Sequence, residues 1–251
     1  MTLLELRTQF IKQNGRFDLV VDTTDYEDDG ADYYINAGVR YLDNHAMNPK
    51  SYAWYKYDFV VNDHRILVPG LLSAKEVWMV NSADDRRQLT KQSLGYMKDY
   101  YSDYSIAVSN SGTPTDWCMA VARLAPEQSD RTSLNYEDHF TYGWEDIIFT
   151  DDGPHYSYRL VWWMPKADTA GTVEILGRFK ANTLSVDGDI NFWTSEYPEV
   201  LIEAANLALE ATYRNTAGMQ DRENYINQLL LGIDHTLVEE EISGVNQMSE
   251  G

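Results

Sequence analysis

The chain has 251 residues, 43% of them apolar, with 40 acidic side chains against 20 basic ones and a formal net charge of -20. That length and apolar content can bury a sizeable core, as one large domain or as a small domain with an insertion. The charge excludes a surface that grips nucleic acid through its phosphates, although a negative wall lets a polyanion slide past without sticking.

A single cysteine, Cys118, excludes an intrachain disulfide framework and fits folding in a reducing cytoplasm. Its apolar setting, Trp117 to Val121, reads as core rather than as the surroundings of a nucleophile. The opening MTLLELRTQF lacks the apolar run of a signal peptide, and no stretch of about 18 apolar residues is present to span a membrane. A soluble, unexported protein is the expectation.

In chain order, Thr2 and Glu5 form a capping-box pattern, Leu3, Leu6 and Phe10 share a helical face, and Asn14-Gly15 is a stop signal. This predicts a short amphipathic helix. Residues 16–22 read as extended, and an acidic stretch leads into a second helix over 31–46. Ala31, Ile35, Gly38 and Leu42 share its inner face, and Asn48-Pro49 ends it.

From Ser51 the pattern changes to short aromatic and β-branched runs at 52–61, 65–68, 75–80, 104–108, 116–124, 146–150, 157–164 and 172–180. Turn residues at Asn62-Asp63, at 111–114 and at 151–154 separate several of them, which predicts antiparallel strands. Ser82, followed by Ala83, Asp84 and Asp85, predicts a helix within this module running to about Tyr100.

The best-marked helical signal is a hairpin over 195–237. Pro198 suits a first turn, and Glu196 and Glu199 complement the positive end of the helix dipole. Leu201, Ala204, Ala205, Ala208 and Ala211 then form a stripe of mostly small side chains, which lets another backbone approach closely and suits tight helix packing, within one subunit or, as expected here, with a neighbouring subunit. Gly218 is expected to end the first helix in the left-handed conformation, and Ile226, Leu229, Leu230, Ile233 and Leu237 mark the second. Beyond Leu237 the chain turns polar and reads as a frayed tail that orders on a partner.

The expected fold is therefore α+β. A helical bundle from 1–50 and 190–240 carries an inserted antiparallel β-sheet or sandwich module over 51–189, and 241–251 is a flexible C-terminal tail.

Chemical signatures are sparse. Asp25 to Gly30 resembles half a calcium loop, but its twelfth position is Asn36, which supplies no bidentate carboxylate. The five histidines, His45, His64, His139, His155 and His235, lack metal-ligand spacing, and no metal or cofactor is expected. Phosphate-loop, dinucleotide and nucleophile-elbow patterns are missing. The pairs Asp151/Asp152 and Asp187/Asp189 have the residue types for glycoside hydrolysis, without a defined separation. Tyr156, Tyr158, Trp162 and Trp163 crowd one strand, with alternation placing Trp163 opposite the others.

The run YRLVWWMPKADT (158–169), the run FWTSEYPEVLIEAANLALEATYRN (192–215) and the opening LRTQFIKQNGRFDLVVDTTDYEDDGADYYINAGVRYLD together resemble head-to-tail adaptor proteins of tailed bacteriophages. These segments cover nearly half the chain, at both ends. The resemblance implies a non-enzymatic ring, usually of twelve subunits, beneath the portal in the virion neck and assembled in the host cytoplasm. It implies three kinds of contact: with the portal protein, with tail tube, nozzle or fibre proteins, and with copies of itself. Double-stranded DNA would pass through without specific binding, and no membrane is involved. In such a ring the C-terminal segment docks on the portal, which here points to Ile242, Val245 and Met248. The competing readings are a carbohydrate-binding β-sandwich centred on Trp163 and a tail-spike glycoside hydrolase using Asp151 and Asp187.

Overall fold

The structure is a computed structural model that describes residues 1–46, 52–81, 85–101, 111–120 and 158–243, leaving out the side chains of 98, 158 and 232–243. The fold is mixed α+β, as expected. The chain divides into a helical unit, Met1–Ser51 with Lys180–Gly251, and a β unit, Tyr52–Phe179.

In the helical unit, α1 (Leu3–Asn14) starts at Thr2, whose hydroxyl accepts from the Glu5 amide while the Glu5 carboxylate accepts from the Thr2 amide. It ends at Gly15, whose φ of 64° is the left-handed conformation open to a residue without Cβ. The next segment is not extended as expected: Phe17–Leu19 forms one 3-10 turn, and Val20 bridges to Asp28. In α2 (Ala31–His45), Ala31, Ile35, Gly38 and Leu42 are all buried. The short α4 (Phe192–Glu196) and α5 (Pro198–Thr212) follow the β unit, and α6 (Thr216–Ser243) completes the bundle. Leu6, Phe10, Ile35, Leu42, Trp193, Leu201 and Ile226 belong to its single core.

Gly218 does not end the first helix of the hairpin. The left-handed residue is Arg214, at φ 57°, and Gly218 lies inside α6, where its amide donates to the Asn215 side chain. Asn215 supplies the capping oxygen, so the turn closes three residues earlier than the glycine suggests. The frayed tail is also shorter than expected, since α6 continues through Ser243. Val238 to Ile242 include three glutamates that propagate a helix readily.

The β unit is a two-sheet sandwich. One sheet has the order β1 (Tyr52–Phe59), β10 (Gly171–Phe179), β3 (Leu71–Asn81), β4 (Arg86–Gln88). The other has β2 (Arg65–Pro69), β8 (Tyr158–Met164), β7 (Asp116–Ala120), β5 (Thr90–Lys91). The longer strands pair antiparallel. Parallel pairs occur only between two-residue stretches, β5 on β7 and β6 (Ser111–Gly112) on β9 (Lys166–Ala167), among the described residues.

Phe59, Val77, Met79, Val173 and Ile175 of the first sheet face Ile66, Val68, Trp117, Val161 and Trp163 of the second across one core. The other face of the second sheet buries Cys118, Leu160, Trp162 and Met164 under α3 (Leu94–Tyr100). The helix expected from Ser82 is thus only α3, capped by Ser93, because Arg86 to Lys91 are drawn into the two sheets as β4 and β5.

The β unit ends at Phe179 rather than at 189. Residues 180–191 belong to the helical unit: the Asp43 carboxylate accepts from the Ala181 amide, and the Asn36 side chain bonds both the amide and the carbonyl of Leu184. The expected strands at 104–108 and 146–150, the end of the one at 116–124, the helix stop at Asn48-Pro49 and the turn at 151–154 lie outside the described residues.

Candidate functional site

The alanine stripe of α5 was the first candidate surface, and most of it is occupied within the subunit. Leu201, Ala204 and Ala205 are buried in the core, against α2. The fit is closest at Gly38, where an added Cβ would stand 2.8 Å from the Ala205 nitrogen and 3.0 Å from the Ala204 carbonyl carbon. Two backbones meet there with nothing between them. These three residues are therefore not the subunit contacts expected of them: the small side chains admit α2 of the same chain, and a neighbouring subunit cannot reach them. Ala208 is half-buried and Ala211 exposed, one and two turns further along the helix.

Polar groups buried in this unit are consistently paired. Arg7, 2% exposed, donates from Nε and Nη2 to both carboxylate oxygens of Asp32 at 2.8 and 2.9 Å. Its Nη1 donates to the Tyr26 carbonyl at 2.8 Å and to Asp187 at 2.9 Å. Burial alone would lower the Arg7 pKa; the hydrogen bonds to Asp32 and Asp187 outweigh it and hold the guanidinium above its ordinary value. Asp43 accepts from the Trp193 indole at 2.8 Å, and Asn206 accepts from Asn14 at 2.6 Å. Asp189 accepts from the amides of Ser185 and Val186, which keep its carboxyl below its usual range. The pair Asp187/Asp189, considered for sugar hydrolysis, thus braces one loop from two directions. Asp151 and Asp152 lie outside the described residues.

Among the outward residues of the hairpin are Ala211, Tyr213 with the Arg16 guanidinium 4.9 Å from its ring, and Tyr225 and Leu231 of α6, with Ala208 and the Arg222–Glu203 pair partly covered. Of the second stripe, Ile226 is buried and Leu229 and Leu230 pack partly on the core. The side chains of Ile233 and Leu237 are outside the described residues, as is that of Ile242; Val245 and Met248 lie beyond them altogether. Charge is uneven along the sequence. The helical unit holds 22 acidic and 8 basic residues, a net of -14 out of the chain's -20.

In the β unit, Trp162 and Trp163 are both fully buried, on opposite faces of β8, which is a central strand with a core on each side. Trp163 also donates its indole N–H to the Asp63 carbonyl. It is a core residue and offers no platform to a sugar. Tyr156 lies outside the described residues. Exposed aromatic surface sits instead on the outer face of the first sheet. There the Arg86 guanidinium lies 4.5 Å from the Trp78 ring and 5.6 Å from the Trp54 ring, and both Arg86 and Lys56 pair with Glu174.

This stack has no local signal in the sequence, because Trp54, Trp78, Arg86 and Glu174 come from four strands and only register brings them together. Arg7 likewise has none, since one arginine on an apolar helix face has no spacing signature. Among the described residues no three His, Cys, Asp or Glu side chains are grouped as a metal would need, and no helix is long and apolar enough to cross a membrane.

No protein-family model matches the chain, and no curated protein matches it.

Proposed function

We propose that this chain is a structural head-to-tail adaptor of a tailed bacteriophage, a subunit of a ring beneath the portal that continues the DNA channel and receives tail components. One observation carries the reading. Two of the three segments that resemble such adaptors, at opposite ends of the sequence, correspond to α1 and α2 on one side and α4 and α5 on the other, while the third, 158–169, forms β8 and β9 of the β unit. These four helices share one core. The net charge of -14 on that unit supports a role beside a polyanion that must pass without sticking.

With Leu201, Ala204 and Ala205 committed to α2, the proposed contact with the next subunit moves to Ala208, Ala211, Tyr213 and the outward face of α6 at Tyr225 and Leu231. The proposed portal contact stays with Ile242, Val245 and Met248, carried by a 28-residue helix about 42 Å long. The β unit is the proposed attachment for tail tube, nozzle or fibre proteins. The virion neck is the proposed location, with assembly in the host cytoplasm. No enzymatic step is proposed.

The test is to mix the purified chain with purified portal and separate the products by size. Stable co-elution that is lost on deleting 242–251 supports the reading. Failure of the intact chain to bind portal at all contradicts it.

A further inference from the structure

The two four-stranded sheets of the β unit present four outer strand edges among the described residues, and three are blunted. On the first sheet, β4 is only Arg86, Arg87 and Gln88, all exposed. On the second, β5 is Thr90 and Lys91, and β2 ends at Pro69, which has no N–H to donate. Shortness, positive charge and proline are the usual means of discouraging strand addition.

The fourth edge, β1, is neither short nor interrupted by proline, and its one lysine, Lys56, is followed two residues on by Asp58 of opposite charge. It is eight residues long and pairs with β10 in unbroken register from Tyr52 opposite Arg178 to Phe59 opposite Gly171. Its sequence YAWYKYDF holds five aromatic residues, of which Tyr52, Trp54 and Tyr57 are 38%, 47% and 42% exposed. Tyr57 belongs to the face that buries Phe59, yet it is not covered. The strand stops at Phe59, and the chain turns over 60–63, where the Val60 amide donates to the Asp63 carboxylate. An eight-residue aromatic edge of this kind is a template for another strand.

We infer that β1 is a pairing edge for a second copy of this chain, the two β1 strands lying antiparallel about a two-fold axis at Tyr57. Charge selects that axis. Centring the pair on Tyr57 sets Lys56 of each copy opposite Asp58 of the other and Tyr55 opposite Phe59, so that the paired stretch is 55–59. A two-fold axis at residue 56 would face lysine with lysine, and one at residue 58 would face aspartate with aspartate. Opposite charges directly across an antiparallel pair are favourable and like charges are not. Lys56 gives one of its three N–H donors to Glu174, and its side chain is still 64% exposed; Asp58 accepts from the Thr172 hydroxyl and is exposed. Both can reach a partner without giving up their present bonds. The contact is isologous and closes on itself, so it adds one copy only. It goes beyond the connector reading and does not rest on it.

The register makes the inference testable by disulfide trapping. Directly opposed residues on an antiparallel pair have Cα atoms about 4.5–5.5 Å apart, within disulfide range. In the full chain, Tyr57→Cys is expected to form a covalent dimer under mild oxidation at least tenfold faster than Tyr52→Cys. The native Cys118 is buried and supplies the background rate. Sedimentation of the unmodified chain is expected to show a dimer that grows with concentration. Lys56→Asp alone should weaken that dimer several-fold to roughly tenfold, and Lys56→Asp combined with Asp58→Lys should restore it. The inference is overturned by a chain that stays monomeric at every concentration, by equal trapping at positions 52 and 57, or by a charge swap that does not restore the dimer. None of these outcomes bears on binding to portal, so failure here leaves the connector proposal standing.

Discussion

Arg7 holds both oxygens of Asp32 in a two-pronged hydrogen bond, with the guanidinium almost wholly out of solvent. The arginine comes from α1 and the aspartate from the first turn of α2, and the same guanidinium reaches Asp187 and the Tyr26 carbonyl. One side chain thereby ties α1, α2 and two loops together. Removing it strands the Asp32 carboxylate in a site with little water. Arg7→Met is expected to cost about 3–5 kcal/mol of stability. Arg7→Lys should recover only part of that, because an ammonium cannot match the planar fork. Chemical denaturation of the three proteins is the measurement.

At Gly38 the α2 and α5 backbones leave no space for a side chain. Gly38→Val is expected to destabilise the fold by about 1–3 kcal/mol or more through overpacking. Ala211→Leu, on the exposed part of α5, should change stability by no more than about 0.5 kcal/mol. If Ala211 meets a neighbour in the ring, that same change reduces ring assembly while the free chain melts normally. Comparing melting temperature with assembly yield separates the two effects.

Glu174 supplies a pH dependence with a defined sign. The Lys56 ammonium, working against burial and helped by Arg86, holds the carboxyl below its ordinary value of 4.5. Unfolded, the same group titrates near that ordinary value, so the unfolded chain takes up the proton first as pH falls. The stabilisation is complete above 4.5 and is lost as pH falls through the lower folded-state value. Glu174→Gln should flatten the part of the stability profile that lies below the ordinary value of 4.5 without altering its slope at neutral pH. Denaturation midpoints measured across that range test it.

Trp163→Ala is expected to cost about 3–5 kcal/mol, as for other buried tryptophans, and to lose any β-unit function only because the unit unfolds. Trp54→Ala, on the exposed face beside Arg86, should cost about 1 kcal/mol or less. A sugar-binding role centred on Trp163 would require the opposite pattern: a folded variant that no longer binds glycan.

The elements that sequence patterning located well are those whose signals are local. Thr2 with Glu5, Gly15 and Pro198 mark helix ends through their own backbone chemistry, and the inner face of α2 follows from the spacing of Ala31, Ile35, Gly38 and Leu42. Where position depends on a distant partner, the pattern misleads. Arg86 to Lys91 follow an apparent helix cap, but β3 and β7 recruit them as strands. Gly218 has the conformational freedom for a left-handed cap, yet Asn215 offers a side-chain oxygen and the chain turns at Arg214 instead. The alanines of α5 signal close packing correctly. What they do not reveal is the identity of the partner, which at Leu201, Ala204 and Ala205 is α2 of the same chain. Arg7 and the Trp54–Arg86–Trp78 stack were invisible for the same reason, since each joins residues far apart in sequence.

The connector claim is tested most directly by reconstructing the neck of the assembled particle by electron microscopy. The account predicts a ring of this chain immediately beneath the portal, with the helical unit beside the DNA path and the C-terminal end of α6 directed to the portal. A neck whose density is fully accounted for by other proteins would contradict it.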